Sequence, residues 1–119
     1  MVDPLGFSTE LRAVFAEQAD IVLAYLFGSH ARRQASALSD VDIAVLLSGQ
    51  PEDDHCFASR IRIMGQVMDI LRINDVDVAI LNQTPLALRY RVVRDGKLLY
   101  CRDENARIEF AAQTVMRYL

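Results

Sequence analysis

Aspartate occurs twice in this chain at the head of an apolar run, where burial should exclude a charge. "SDVDIAVLL", Ser39 to Leu47, carries Asp40 and Asp42, and "NDVDVAILN", Asn74 to Asn82, repeats the pattern with Asp75 and Asp77. Alternate residues of a β-strand face the same side, about 6.5–7 Å apart. Asp40 and Asp42 then share a face; Asp42 leads Ala44 and Leu46, as Asp77 leads Ala79 and Leu81. If the two strands are neighbours, three carboxylates meet at one end of a sheet. Like charges at that spacing raise one another's pKa. A hard divalent cation removes the conflict, and Mg²⁺ binds through carboxylates, waters and phosphate oxygens. The competing reading makes Asp40 and Asp75 turn residues and Asp42 and Asp77 ion-paired strand ends. A single D-x-D does not separate the two.

Gly28-Ser29 lies ten residues before Asp40 and gives the composite G-S-x10-D-x-D. It ends one apolar run and opens a turn. There the backbone N–H groups and the Ser29 hydroxyl can hold a phosphate, and glycine lets the backbone come close.

Positioning these residues requires strands and covering helices. "IVLAYLF", Ile21 to Phe27, and Val41 to Leu47 read as buried strands, Val76 to Leu81 as a third and Lys97 to Cys101 as a short fourth. A first helix, capped by Asp3-Pro4 or Ser8, turns Leu11, Val14 and Phe15 inward and ends near Asp20. His30 to Gln34 is predicted as a short helix and Ala35 to Ser39 as a loop. The longest helix spans Glu52 to Ile73. Its expected inner stripe is Phe57, Ile61, Met64, Met68 and Leu71, widened by Ile63, Val67 and Ile70, with Arg60, Arg62, Gln66 and Asp69 on the wet side. Pro85 starts a helix to Arg94, and Asp95-Gly96 turns into the fourth strand. Asp103 caps a final helix expected to bury Ile108, Ala111, Ala112, Val115 and Leu119. Alternation of helix and strand makes the fold α/β or α+β.

The totals bound the function. The 119 residues suit one domain, and 52% hydrophobic content supplies a core. A net charge of −3 argues against a sequence-independent nucleic-acid binder, so no direct nucleic-acid binding is expected. Cys56 and Cys101 form neither a C-x-x-C pair nor a disulfide framework and read as reduced, buried thiols. With no signal peptide and no run of about 18 apolar residues, a cytoplasmic location away from membranes is the expectation.

"LFGSHARRQASALSDVDIAVLL" closely resembles the signature of the polymerase-β-like nucleotidyltransferase superfamily. Within it the chain is similar to the minimal nucleotidyltransferase (MNT-type) antitoxins encoded beside HEPN-domain toxins. "VDVAILNQTPLALRYRVVRDGKLLYCRD" shares that likeness, which covers roughly residues 20 to 103. One departure is Arg33, where the family often has glycine; that change tightens or recasts the phosphate loop without removing a metal ligand. The resemblance implies a polymerase-β-like fold, a small mixed sheet flanked by helices, with residues 1–119 as a single minimal nucleotidyltransferase domain. It implies that Gly28 and Ser29 hold the triphosphate of ATP, with Arg32 as a further contact. Asp40 and Asp42 would bind two Mg²⁺ ions, and Asp77 would complete the site and help deprotonate the attacking hydroxyl. The implied reaction is AMP transfer from ATP to a hydroxyl, expected to be a tyrosine, of a partner HEPN ribonuclease toxin. The alternatives are an antitoxin acting by binding alone and a transferase acting on a small molecule such as an aminoglycoside.

Other polar residues carry blander expectations. His30 and His55 read as surface groups, and Arg89, Arg91 and Arg94 as a solvated helix face, with contact to ATP or the partner as the alternative. Tyr118 reads as packing. No His/Cys cluster has zinc spacing, and Ser29 has no evident His/Asp relay.

Overall fold

A computed structural model describes residues 2–32, 34–36 and 40–119. Asp3 accepts a hydrogen bond from the Leu5 N–H and opens a short 3-10 turn, Pro4–Phe7. Helix α1 follows at Ser8–Ala16, with Leu11 and Phe15 fully buried. It stops short of Asp20 because Arg102 captures its end. The Arg102 guanidinium donates to the carbonyls of Ala16, Gln18 and Ile21 and leads the chain into strand β1, Ile21–Phe27. Strand β2 is Val41–Leu47, helix α2 Asp53–Leu71 and strand β3 Val76–Ile80. Helix α3, Leu86–Asp95, strand β4, Lys97–Cys101, and helix α4, Glu104–Tyr118, complete the order.

The four strands form one mixed sheet in the order β3-β2-β1-β4. β1 is antiparallel to β2 and β4, while β2 and β3 are parallel. A parallel pair needs a long crossover, and α2 supplies it. The side chains of β2 alternate between two cores. Ile43 and Val45 pack with Leu11, Phe15, Ile63 and Val67 beneath α1 and α2, whereas Ala44 packs with Leu23, Tyr25 and Val92 beneath α3. Burial on both faces explains why β1 and β2 read as continuous apolar runs.

The end of β3 departs from the expected span. Leu81 leaves the strand for a 3-10 turn, Leu81–Gln83, and is fully buried there. The Asn82 side chain then stands in for a peptide group. Its Nδ2 donates to the Leu47 carbonyl at 2.9 Å, and its Oδ1 accepts from the Leu47 N–H at 2.9 Å.

Two helix faces differ from expectation. The buried line of α2 is Cys56, Ser59, Ile63, Val67 and Leu71, while Phe57 and Ile61 are 63% and 49% exposed. Apolar residues occupy so much of the α2 circumference that two overlapping stripes satisfy helical spacing. The sheet selects the one that begins with small side chains. Arg60, expected on the wet side, is instead half-buried and donates from Nε to the Val78 carbonyl at 2.8 Å. In α4, Asp103 caps as expected, accepting from the N–H groups of Asn105 and Ala106. The buried residue is Thr114, and Phe110 packs on the second core, whereas Ile108, Ala112 and Leu119 are exposed. Packing against α3 sets this phase, with Tyr90 and Tyr118 stacked at 4.0 Å between ring centroids.

The short helix expected after Ser29 is only a turn among the described residues. The Arg32 N–H donates to the Gly28 carbonyl and the Gln34 N–H to the Ser29 carbonyl. The expected effect of Arg33, and the Ala37 to Ser39 part of the expected loop, lie outside the described residues.

Candidate active site

The register places the aspartates. Phe27 of β1 pairs with Asp42 of β2, and Asp42 pairs in turn with Asp77 of β3. Both aspartates point to the face opposite α2, because Ile43 and Val78 on either side of them lie in the core beneath that helix. The Val41 N–H donates to the Asp75 carbonyl at 2.8 Å and carries the parallel ladder to the mouth of the site. Asp75 precedes β3 by one residue, while Asp77 within the strand stands beside Asp42. Asp40 is exposed and sits one residue before β2.

Gly28 turns the chain away from β1 with φ +74°, a left-handed conformation that glycine adopts without strain. A Cβ atom at this position would stand 2.3 Å from Asp42 Oδ2, closer than any real contact. The bare backbone of Gly28 thus lies directly against the Asp42 carboxylate. Burial raises the Asp42 pKa, and the negative charges of Asp77 and Asp40 raise it further; His30 and Arg32 pull it partly back. The like-charge conflict expected from the repeated D-V-D is present in the fold.

Asp77 has a different neighbour. It is exposed on the edge strand, and Arg60 reaches it from α2, with Nη2 donating to Asp77 Oδ1 at 3.1 Å. The same guanidinium occupies the Val78 carbonyl, which covers part of an otherwise open strand edge. Among the described residues, no three acidic, His or Cys side chains are gathered closely enough to hold a metal ion as they stand. The cause is visible: Asp42 leans on Gly28, while Arg60 draws Asp77 outward. The donor set still fits a hard divalent cation, with carboxylates in register on adjacent strands and an Asp42 charge that lacks full compensation. Completing the set means turning Asp77 from Arg60.

In front of Asp42 lies a cavity of about 330 Å³. Phe27, Gly28, Ser29, Arg32 and Asp42 form one wall, and Leu88, Arg91 and Asp95 of α3 form the other. The fold therefore gathers Gly28, Ser29, Arg32 and Asp42 at one cavity, with Asp77 on the neighbouring strand and Asp40 at the strand mouth. The α3 wall was not among the expected site residues, because Arg91 read as part of a solvated face. Its signal is the spacing 88, 91, 95, one side of a helix. Arg60 was also missed, since its position in the α2 pattern marks only a polar side.

A larger hollow of about 900 Å³ lies at the other end of β1 and β2, bordered by Val22, Leu46, Arg102, Glu104 and Glu109. Its arginine is committed to backbone carbonyls and its remaining charges are acidic, so it is poorly suited to a nucleotide. His55 pairs with Asp20 at 2.7 Å on the surface. Both cysteines are unpaired; Cys56 is buried, Cys101 is half-buried, and burial raises both thiols.

The sequence and the fold have known counterparts. Residues 9–105 match the family described as polymerase beta, nucleotidyltransferase, and the chain belongs to that family. Its four-strand mixed sheet with helices on both faces is the polymerase-β-like nucleotidyltransferase fold. Among solved structures, it is similar to a chain in a crystal structure of a toxin–antitoxin with AMP-PNP. That pair has 27% identity and a TM-score of 0.73 over 92% of this chain and 82% of the other. A mutant of the MntA–HpeT toxin–antitoxin aligns at 24% identity with a TM-score of 0.77, over 93% of this chain and 86% of the other. A tri-AMPylated Shewanella oneidensis HEPN toxin in complex with MNT antitoxin aligns at 24% identity with a TM-score of 0.72, over 97% and 86%. The last two likenesses concern the fold alone. No curated protein matches the sequence.

Proposed function

We propose that this nucleotidyltransferase is an antitoxin, that residues 1–119 act as one catalytic domain, and that it transfers AMP from ATP to a hydroxyl, a tyrosine, of a partner HEPN-domain toxin. The observation that carries the reading is the register of Asp42 with Asp77 across parallel strands, with Gly28 packed on Asp42 at a cavity mouth. Kinship with the toxin–antitoxin that holds AMP-PNP, at 27% identity, supports ATP as substrate and a toxin as partner. The AMPylated toxin of the MNT complex supports the kind of product. No helix among the described residues is long and apolar enough to cross a membrane, and we place the reaction in the cytoplasm.

Gly28 lets the polyphosphate approach the backbone, Ser29 offers a hydroxyl donor, and Arg32 adds positive charge beside them. Asp40 and Asp42, with Asp77 after it turns from Arg60, would hold two Mg²⁺ ions. These would stabilise charge on the attacking and leaving oxygens. The toxin hydroxyl must come within about 3–3.5 Å of the α-phosphorus, so the partner docks at the open β2–β3 end of the sheet. Its oxygen forms the new bond to that phosphorus, the bond to pyrophosphate breaks, and Asp77 takes the hydroxyl proton.

Co-expression with the HEPN toxin followed by intact-mass measurement tests the reading. The toxin should gain the mass of AMP with the wild-type protein and remain unshifted with Asp42→Ala. Neutralisation by both proteins without any mass change would establish action by binding alone. Transfer to an aminoglycoside with no change in the toxin would point to a small-molecule substrate.

A further inference from the structure

The wall of the cavity that lies outside the G-S-x10-D-x-D signature is one face of α3. Leu88, Arg91 and Asp95 recur there at helical spacing and look across at Gly28, Ser29 and Arg32. Arg91 is exposed, and it has no hydrogen bond or ion pair with any described residue. A long cation held at a cavity wall without an intramolecular partner is available to an anion.

Asp95, one turn further along the same face, would be the natural competitor for Arg91. It is already engaged, because Arg94 Nε donates to Asp95 Oδ1 at 3.1 Å and Arg94 Nη2 to Asp95 Oδ2 at 2.8 Å. This two-pronged bond holds the Asp95 carboxyl below its ordinary range. With Asp95 matched by Arg94, the side-chain charges on the cavity walls without an ionic partner are Arg32, whose Nε donates to the Gln34 amide oxygen at 3.2 Å, and Arg91 against Asp42. The cavity is electropositive away from Asp42 and negative beside it, which suits a polyphosphate whose reacting phosphorus lies at the aspartates. Leu88 and Phe27 supply apolar walls that strengthen a charge contact by excluding water.

We infer that Arg91 is a substrate-binding residue, a second cation that clamps the outer phosphates of the nucleoside triphosphate from α3, opposite the Gly28-Ser29 turn. The inference rests on the nucleotidyltransferase reading of the cavity and adds a residue that its signature does not contain. Arg91 holds the part of the substrate that leaves as pyrophosphate. Its contribution therefore falls on triphosphates and is absent for a monophosphate.

Calorimetric titration of the purified protein with a non-hydrolysable ATP analogue, with inorganic tripolyphosphate and with AMP tests this. Arg91→Ala should weaken the analogue and tripolyphosphate by about tenfold, in line with loss of one charge-assisted contact, and leave AMP unchanged. Arg91→Lys should recover part of the loss, since it keeps the charge without the planar fork. Arg89→Ala, on the same helix and outside the cavity lining, should change none of the three. Equal affinity of wild type and Arg91→Ala for tripolyphosphate would overturn the inference, as would an equal loss for AMP. Failure of the wild type to bind any triphosphate would instead overturn the nucleotidyltransferase reading of the cavity itself.

Discussion

The two D-V-D strands carry nearly the same sequence and receive opposite treatment from the fold. In β2, an interior strand, Asp42 is half-buried against Gly28, and its neighbours are Asp77 and Asp40. In β3, the edge strand, Asp77 is exposed and has a guanidinium partner. One carboxylate is held in conflict and the other is satisfied. Strand position, which the local pattern does not encode, decides which is which. The uncompensated carboxylate is the one beside the glycine turn and the cavity, as expected of a site that spends stability on function.

The contrast breaks most severely at Gly28. Gly28→Val brings a branched side chain to a left-handed backbone and onto the Asp42 carboxylate. Strain at such a position alone costs about 1–3 kcal/mol. We expect loss of detectable binding of an ATP analogue by calorimetry and a lower Tm. Gly28→Ala should do nearly the same, because the collision begins at Cβ; unaltered binding in both variants would remove the glycine from the site.

A smaller effect separates the two aspartates by stability. The Asp42 pKa is raised in the folded state, so its contribution to stability is fully present below the ordinary carboxylate value near about 3.9 and is lost as pH rises through the folded value. Asp42→Asn should therefore melt higher than wild type at pH 7, and the gap should close in acid. Asp42 keeps substantial solvent contact, so the gain is modest. Asp77→Asn should show a smaller gain or none, because relief of the repulsion it shares with Asp42 is offset by loss of its Arg60 partner. It weakens an exposed ion pair, a change of about 0–1 kcal/mol in the other direction. Thermal melts of both variants across pH, in chelator, measure the difference; a larger gain for Asp77→Asn than for Asp42→Asn would reverse the comparison.

Much of this arrangement was legible in the residues. The strand spans to within a residue or so, the G-S turn, the shared face within each D-V-D copy and the Asp103 cap follow from period-two burial, glycine conformation and side-chain capping, all of which are local. What was illegible depends on which neighbours a face meets. Phe57 and Ile61 share helical spacing with Met64 and Leu71, yet the sheet takes Cys56 and Ser59 instead. Ile108 and Leu119 likewise lose the inner face of α4 to Phe110 and Thr114 once α3 packs beside them. Arg60 and Arg91 look alike as charges on amphipathic helices. The fold sends one to the edge of β3 and the other to the cavity.

The Asn82 amide has a dynamic consequence at the far end of β2. The Leu47 N–H is bonded to a side chain, so its exchange with deuterium should follow the opening of one rotamer. The nearby Ser48 N–H, bonded to the Asp20 carbonyl, should follow the opening of the backbone. In Asn82→Ala, loss of a bond worth about 1 kcal/mol should speed exchange at Leu47 roughly five- to tenfold, with Ser48 and the interior of β2 unchanged. Two adjacent amides would then serve as separate clocks, one timing a side chain and the other timing the sheet.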